Sequence, residues 1–271
     1  MVVLLIDGGY FICFRLFATL QWWALAHKDE NPEDSLIPFR NAFKDRFIKS
    51  LPEFLKKINA NPSHIVFAMD QKIKDLWRTK IYSDYKKGRT SLSKYPRLSQ
   101  ACLDKGLIAS LCSEMGISVV SHPHLEADDC IFVLSKLINK ENTIIVTNDN
   151  DYLQILPVYG SLINLKGQNL RDRSMGDPTI DLQVKILSGD KSDNIPPVFK
   201  GCGPKTAIKI TSDPDFLKNK EEKLSEEDRV KLRRQIELNT RLIDFNQIPN
   251  NYILEFMDAN QRIISSVSAH Q

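Results

Sequence analysis

Four short apolar runs rich in β-branched residues stand out along the chain: VVLLI ahead of Asp7, HIVFAM ahead of Asp70, ISVV at 117–120 and TIIVTN ahead of Asp149. Their shortness and unbroken apolarity predict strands buried on both faces. Between them the spacing changes to a helical period. From about Pro38 to Ile58 the apolar residues Phe39, Phe43, Phe47, Leu51, Phe54, Leu55 and Ile58 form one stripe, and Ala101 to Met115 and Asp128 to Ile138 behave similarly. Strands alternating with helices predict an α/β fold, a central and mainly parallel sheet flanked by helices. From Thr179 onward the strand signal fades and the chain turns helical, which predicts two domains, 1–180 and 181–271. The mixed stretch from Lys218 to Arg234, with seven bases and five acids, reads as a solvated helix face or a mobile loop.

Composition narrows the class without naming a chemistry. At 271 residues the chain can bury a substantial core. Its 42% hydrophobic and 26% charged residues are ordinary for a globular protein, and no apolar run reaches the eighteen or so residues that span a bilayer. MVVLLID is too short for a signal sequence and reads as the first strand, so no membrane partner is expected. The five cysteines form no CxxC pair and suit reduced thiols in a cytoplasm, the host's if the source is viral. The net charge of +3 is modest, but its distribution is uneven. Lys72 to Arg97 carries nine bases against two acids.

The carboxylates supply the first chemical signal. Asp7, Asp70 and Asp149 follow three of the four strands, at the sheet edge where open α/β folds bind ligands. One such aspartate is most simply a helix cap, and three are harder to explain that way. LEADDC adds Glu126, Asp128 and Asp129 at a predicted helix start, where Glu126 and Asp129 share a face and Asp128 reaches sideways. The helix dipole accounts for one or two of these acids. NDND adds Asp151 to Asp149. Seven anions converging on one cleft require countercharge. Hard divalent cations fit, because Mg²⁺ or Mn²⁺ prefers carboxylate and water oxygens and no His or Cys cluster suits zinc. HPH at 122–124 is the one close histidine pair and reads as structural. Two ions about 4 Å apart would serve an in-line phosphodiester displacement.

The basic segment KIKDLWRTKIYSDYKKGRTSLSKYPR interleaves its charges with Trp77, Tyr82, Tyr85 and Tyr95, a combination that suits single-stranded nucleic acid. With LLIDG, VFAMDQ, YKKGR, LEADD, TNDNDYLQ, LSGDKSDNIP and GCGPKTA in this order, the chain resembles the 5′-nucleases of the flap endonuclease and 5′-3′ exonuclease superfamily from Val2 to about Pro249. ILSGDKSDN and LNTRLIDFNQIPNN look closest to the bacteriophage RNase H branch.

The resemblance implies a PIN-like nuclease core, a helical arch over about 72–100, and a small helical domain with a helix-hairpin-helix turn at about 195–212. It implies a first metal site at Asp7, Asp70, Glu126 and Asp128 with Asp129 close by, and a weaker second site at Asp149, Asp151, Asp190 and Asp193. Mg²⁺ would fill both, with Mn²⁺ as a substitute. Lys86 and Arg89 match the basic pair that contacts the scissile phosphate, and Tyr85 would help stack the displaced nucleotide. Arg15, Arg78, Lys80, Tyr82 and Lys87 are further DNA-binding expectations. The family places an arginine shortly after the first aspartate, and Arg15 lies eight residues on. Expected partners are branched or nicked DNA with a 5′ flap or RNA primer, a single-stranded DNA binding protein and a polymerase, with the chain itself monomeric. The tail NQRIISSVSAHQ lacks the aromatic pair of a sliding-clamp box.

In VFKGCGPKTA, Gly201 and Gly203 permit a tight turn whose N–H groups approach a phosphate, with Lys200, Lys205 and Thr206 beside it. GxxxxGK[ST] spacing is absent, which excludes a nucleotide P-loop. The pattern instead resembles a helix-hairpin-helix that grips duplex backbone, with a K⁺ ion as a further expectation there. Ordinary helix-turn chemistry is the competing reading, as capping is for Asp190 and Asp193. Two other functions compete. A haloacid-dehalogenase-like phosphatase would want a second aspartate where Gly9 stands. A non-catalytic branched-DNA binder would hold structural metal on the same acids.

Overall fold

The computed structural model describes residues 2–28, 30–88, 94–138, 140–155 and 161–268. Its centre is a five-stranded sheet of β1 (Val3–Asp7), β2 (His64–Ala68), β3 (Ser118–Val120), β4 (Thr143–Val146) and β5 (Ser161–Ile163). The strands lie in the order β3-β2-β1-β4-β5, every pair parallel. The chain works outward from β1 through β2 to β3 and then returns to β1's other side with β4. This reversal opens a crevice at the carboxyl ends of β1 and β4, the place where such sheets bind ligands.

Each strand is apolar on both faces because helices cover both. Leu4, Ile6, Phe67 and Val146 pack under α1 (Gly8–Ala26), α2 (Leu36–Lys57), α4 (Pro96–Cys102) and α5 (Lys105–Glu114). Leu5, Val66, Ala68 and Ile145 pack against α6 (Ala127–Leu137), α11 (Asn250–Ala259) and α12 (Gln261–Ser268). The stripe predicted from Pro38 to Ile58 is the buried face of α2, where Phe39, Phe43, Phe47, Leu51 and Phe54 enter the core. The second predicted helix is divided at Leu103–Asp104, because Asp104 accepts from Leu107 N (2.8 Å) and starts α5 anew. β5 has no counterpart among the predicted strands. It is three residues long with only Leu162 buried, too little for an apolar run.

The basic segment departs further from expectation. After the short α3 (Trp77–Ile81), Trp77 and Arg78 are 2% exposed, so Trp77 is core and not a stacking platform. Residues 89–93, with Arg89 among them, lie outside the described residues.

From α7 (Pro178–Ser188) onward the described chain is helical, through α8 (Pro204–Ser212), α9 (Pro214–Glu222) and α10 (Glu226–Ile243). The mixed-charge stretch forms α9 and α10, and pairs such as Lys231 with Glu227 (2.8 Å) make it a solvated helix face.

The entry from β1 into α1 depends on Gly8. A Cβ there would lie 2.3 Å from the Ala68 carbonyl oxygen and 2.5 Å from Phe67 Cε1. Gly8→Ala is expected to destabilise the fold by about 1–3 kcal/mol, as overpacking does. A urea midpoint equal to that of the wild type would show that this close approach does not constrain the fold.

Candidate active site

The carboxyl ends of β1, β2 and β4 converge on a cleft of about 610 Å³, lined by Asp7, Gly9, Asp70, Lys86, Glu126, Asp128, Asp149, Lys185 and Asp190 among others. Asp7 ends β1 and caps α1, with Oδ1 accepting from Tyr10 N (3.1 Å) and Oδ2 from Thr147 Oγ1 (2.8 Å). Asp70 accepts from Ala127 N (2.9 Å), which draws the start of α6 to the same edge. The two carboxylates meet above Gly9, where a Cβ would lie 2.3 Å from Asp70 Oδ2 and 3.7 Å from Asp7 Oδ1. Burial, and then repulsion by Asp70, push the Asp7 carboxyl up to about 7. Burial with repulsion from Glu126 and Asp129 pushes Asp128 well above its ordinary value. The cleft therefore concentrates more negative charge than it neutralises. Asp149 bounds it beyond β4, accepting from Asp151 N (3.0 Å).

Two of the expected DNA contacts, Arg78 and Tyr85, form a buried network with the expected metal ligand Asp129 and with Glu126. Arg78 donates from Nη1 to Glu126 Oε2 (2.8 Å) and Asp129 Oδ2 (2.8 Å), from Nη2 to Asp129 Oδ1 (2.7 Å), and from Nε to the Leu242 carbonyl at the end of α10 (2.8 Å). It is thus a structural tie and does not reach nucleic acid. Asp129 is 0% exposed, and its oxygens also accept from Trp77 Nε1 (3.0 Å) and Glu126 N (3.1 Å). It serves Arg78 and the α6 cap, and one of its oxygens lies within 4.8 Å of oxygens of Glu126 and Asp128, so the three form a group able to hold a metal ion. Tyr85, 3% exposed, donates its hydroxyl to Glu126 Oε2 (2.8 Å) and lies 3.0 Å from Asp193 Oδ2, so it cannot stack on a displaced base as expected. Against the upward push of burial, Lys86 and Arg78 hold the Glu126 carboxyl at about 2. Glu126 Oε1 faces the cleft and pairs with Lys86.

A second acid group faces the first. Asp151, Asp190 and Asp193 each bring an oxygen within 4.8 Å of the others. Lys185 of α7 enters this group, pairing with Asp151 and with Asp190 Oδ2 (2.8 Å), and against burial it holds Asp190 at about 2. Sequence reasoning passed over Lys185. The available signal was a lone base one residue before the buried Ile186 and Leu187, five residues ahead of Asp190. The loop carrying Asp190 and Asp193 closes through Asp190 N to Ile195 O (2.9 Å) and Ile195 N to Asp190 O (2.7 Å). Gly189 adopts φ 69° at its entrance, with Ile195 O 2.5 Å from where a Cβ would stand. Lys86 joins the groups, pairing with Glu126 and lying 3.6 Å from Asp193 while its N–H donates to Asp193 O (2.9 Å). Its φ of 54° is uncommon for a residue with a side chain, and such strain concentrates at working sites.

The remaining predicted residues lie elsewhere. Arg15 sits over the Phe14 ring (4.5 Å) and lines a separate cavity of about 310 Å³ with Trp22, Arg46 and Lys49. Lys80 reaches Tyr252 Oη (2.7 Å), Tyr82 is half-buried, and Lys87 pairs with Asp84 on the surface. Lys200, Gly201 and Lys205 are exposed beside half-buried Gly203 and Thr206 at the start of α8, with Gly201 at φ 88° and Thr206 Oγ1 donating to Gly201 O (3.2 Å). His122 meets Glu255 (3.2 Å) and His124 meets Asp75 O (2.7 Å), so both have structural partners.

Comparison with known proteins agrees with this fold. A family model for the 5′-3′ exonuclease N-terminal resolvase-like domain matches residues 2–180. A 5′-3′ exonuclease of Bacillus subtilis is 29% identical over 238 residues, covering 82% of this chain and 74% of that one. The flap endonuclease Xni of Shewanella loihica is 30% identical over 237 residues, covering 76% of this chain and 87% of that one. Among solved structures, the 5′-exonuclease of bacteriophage T5 with bound zinc has the same fold at a TM-score of 0.65 and 17% identity, over 98% of this chain and 99% of that one.

Two outcomes follow from the charges. Arg78→Ala leaves buried carboxylates unpaired and should cost about 3–5 kcal/mol of stability in a urea melt; a loss under about 1 kcal/mol would contradict the tie. Asp7, raised from 3.8 to about 7, binds its proton more tightly folded than unfolded. Its contribution is therefore full below about pH 4 and is lost as pH rises through 7. In chelator, Asp7→Asn should raise the melting temperature at pH 8 and give no gain at pH 4, and an equal effect at both pH values would refute this.

Proposed function

The chain belongs to the 5′-3′ exonuclease and flap endonuclease family, and from that premise we propose that it is a Mg²⁺-dependent, structure-specific 5′-nuclease. It hydrolyses phosphodiesters near the 5′ end of flapped or nicked DNA and of RNA-primer strands. The observation that carries this reading is Lys86, held in a left-handed conformation between two facing acid groups in one cleft.

The donor set fits hard divalent cations: carboxylates dominate, and no histidine or cysteine cluster accompanies them among the described residues. Asp7, Asp70 and Asp128, with Glu126 Oε1, would hold one ion, and Asp149, Asp151, Asp190 and Asp193 the other. When bound, the pair supplies a water of lowered pKa and neutralises the leaving oxygen. The chain's own residues do the rest. Lys86, freed from Glu126, meets the non-bridging oxygens of the scissile phosphate, where negative charge grows as the bond breaks. Lys185 stands as countercharge to Asp151 and Asp190. Arg89 is proposed as the partner of Lys86.

The duplex is held farther off. Exposed Lys200 and Lys205 flank a turn in which Gly201 leaves open space on its outer side, an arrangement that suits a sugar-phosphate backbone gripped without reading bases. On this reading residues 1–180 carry most of the chemistry, and 181–271 add Lys185, Asp190 and Asp193 to the cleft and supply the duplex grip. Lys80, Tyr82, Lys87 and Arg15, which lie outside the cleft, are proposed as further contacts to the DNA backbone.

A labelled 5′-flap duplex should be cut with Mg²⁺ and left intact in chelator. Lys86→Ala is expected to slow cutting by about 10²–10³-fold, the loss seen when one preorganised charge stabiliser is removed, and Asp70→Asn by at least as much. Cutting in chelator, rates unchanged in both variants, or preference for a small phosphomonoester would overturn the reading.

A further inference from the structure

Among the described residues, Asn59, Lys86 and Asn194 are the residues with side chains that adopt a positive φ, and two of them meet across the cleft: Lys86 at 54° and Asn194 at 62°. Two hydrogen bonds join their segments. Asn194 donates from Nδ2 to the Asp84 carbonyl (2.9 Å), and Lys86 N donates to the Asp193 carbonyl (2.9 Å). Tyr85 lies between these points, its hydroxyl bonded to Glu126 Oε2 (2.8 Å) and 3.0 Å from Asp193 Oδ2. Three consecutive residues, Asp84 to Lys86, are thus fastened to the loop that presents the second acid group.

Asn194 is exposed, so packing does not account for it. Glycine would take its backbone conformation with less strain, and asparagine is among the few other residues that tolerate it. What asparagine adds is a side-chain amide, and that amide is bonded to the segment carrying Lys86. An exposed hydrogen bond contributes little net stability, so its effect lies in geometry. A lysine held at positive φ persists only where its surroundings over-determine it. Here the attachment has two points, one on the carbonyl of Asp84 and one on the N–H of Lys86, and both are made to adjacent residues of one loop.

We propose that Asn194 is a positioning residue for Lys86, its side chain tying the Asp84–Lys86 segment to the second acid group so that the Lys86 ammonium meets the scissile phosphate at a fixed place. The inference rests on reading Lys86 as the phosphate contact of a 5′-nuclease. Its test uses the full chain and Asn194→Gly, which keeps the left-handed backbone and removes the donor. Four quantities are measured: single-turnover cutting of a 5′-flap duplex with Mg²⁺, flap affinity in chelator, Mn²⁺ affinity by calorimetry, and hydrogen exchange at the Lys86 amide. Asn194→Gly should cut at least about tenfold more slowly, with flap and Mn²⁺ affinities within about twofold of the wild type. Its Lys86 amide should exchange faster while the amide of Leu5 in the core keeps its protection. In a Lys86→Ala background the substitution should cause no further slowing. A wild-type cutting rate or an unchanged Lys86 amide in Asn194→Gly would overturn the proposal. So would equal slowing in the Lys86→Ala background, or a matching loss of Mn²⁺ affinity, since either marks a role in holding the acid loop alone. Faster exchange at Lys86 in Asn194→Gly, beside a wild-type chain that cuts no flap, would remove the nuclease reading and leave the tie intact.

Discussion

A single buried guanidinium holds the molecule in register. Arg78 joins the start of α6, through Glu126 and Asp129, to the last turn of α10, through the Leu242 carbonyl. These elements are distant in sequence, so the acid cleft inherits its shape from an interaction outside it. Burying a guanidinium and two carboxylates costs several kcal/mol per ion before pairing, and only near-complete hydrogen bonding offsets it. That condition is met for Arg78, whose bonds run from 2.7 to 2.8 Å. Apolar residues could stabilise the same contact, but they would not fix the direction of Glu126, whose other oxygen faces the cleft.

Repulsion is the opposing force, and the protein relieves it unevenly. Glu126 and Asp190 are held at about 2 by Lys86 and Lys185 despite burial, whereas Asp7 rises to about 7 with no basic side chain bonded to it among the described residues. The chain thus supplies ammonium countercharge to Glu126 and Asp190, while burial and the neighbouring Asp70 raise Asp7. A group that brings positive charge beside Asp7 favours its ionised form in the folded chain, so its binding energy is also folding energy.

Much of this layout was legible in the sequence because strands and their terminal acids follow period and position. The four apolar runs became β1, β2, β3 and β4, and Asp7, Asp70 and Asp149 stand at the edge they share. The basic segment was less legible because charge along a chain does not reveal burial. Trp77, Arg78 and Tyr85 read as nucleic-acid contacts, and the partners that bury them, Glu126, Asp129, Asp193 and Leu242, come from remote parts of the chain. Lys185 was missed for the same reason, since its partners Asp151 and Asp190 come together only when α7 packs on the turn after β4. β5 was missed for another. A three-residue edge strand takes its stability from pairing with β4, and little of that pattern is written in its own side chains.

The connection between the acids and the glycine turn shows how local rigidity can act over distance. Asn239 of α10 donates to the carbonyls of Ile186 (2.8 Å) and Pro196 (2.9 Å), clamping both sides of the loop that presents Asp190 and Asp193. Val198 N donates to Leu187 O (3.1 Å), and Cys202 and Ala207 bury the far end of the segment with Val198 and Ile210. These bonds tie the segment from Asp193 to Gly203 to α7 and α10. A flexible linker would allow the two ends to move independently, and correct placement at one would then say nothing of the other. On the proposed function, a duplex backbone held at Gly201 and Gly203 is tied through this segment to Asp190 and Asp193, so placement at one end bears on placement at the other.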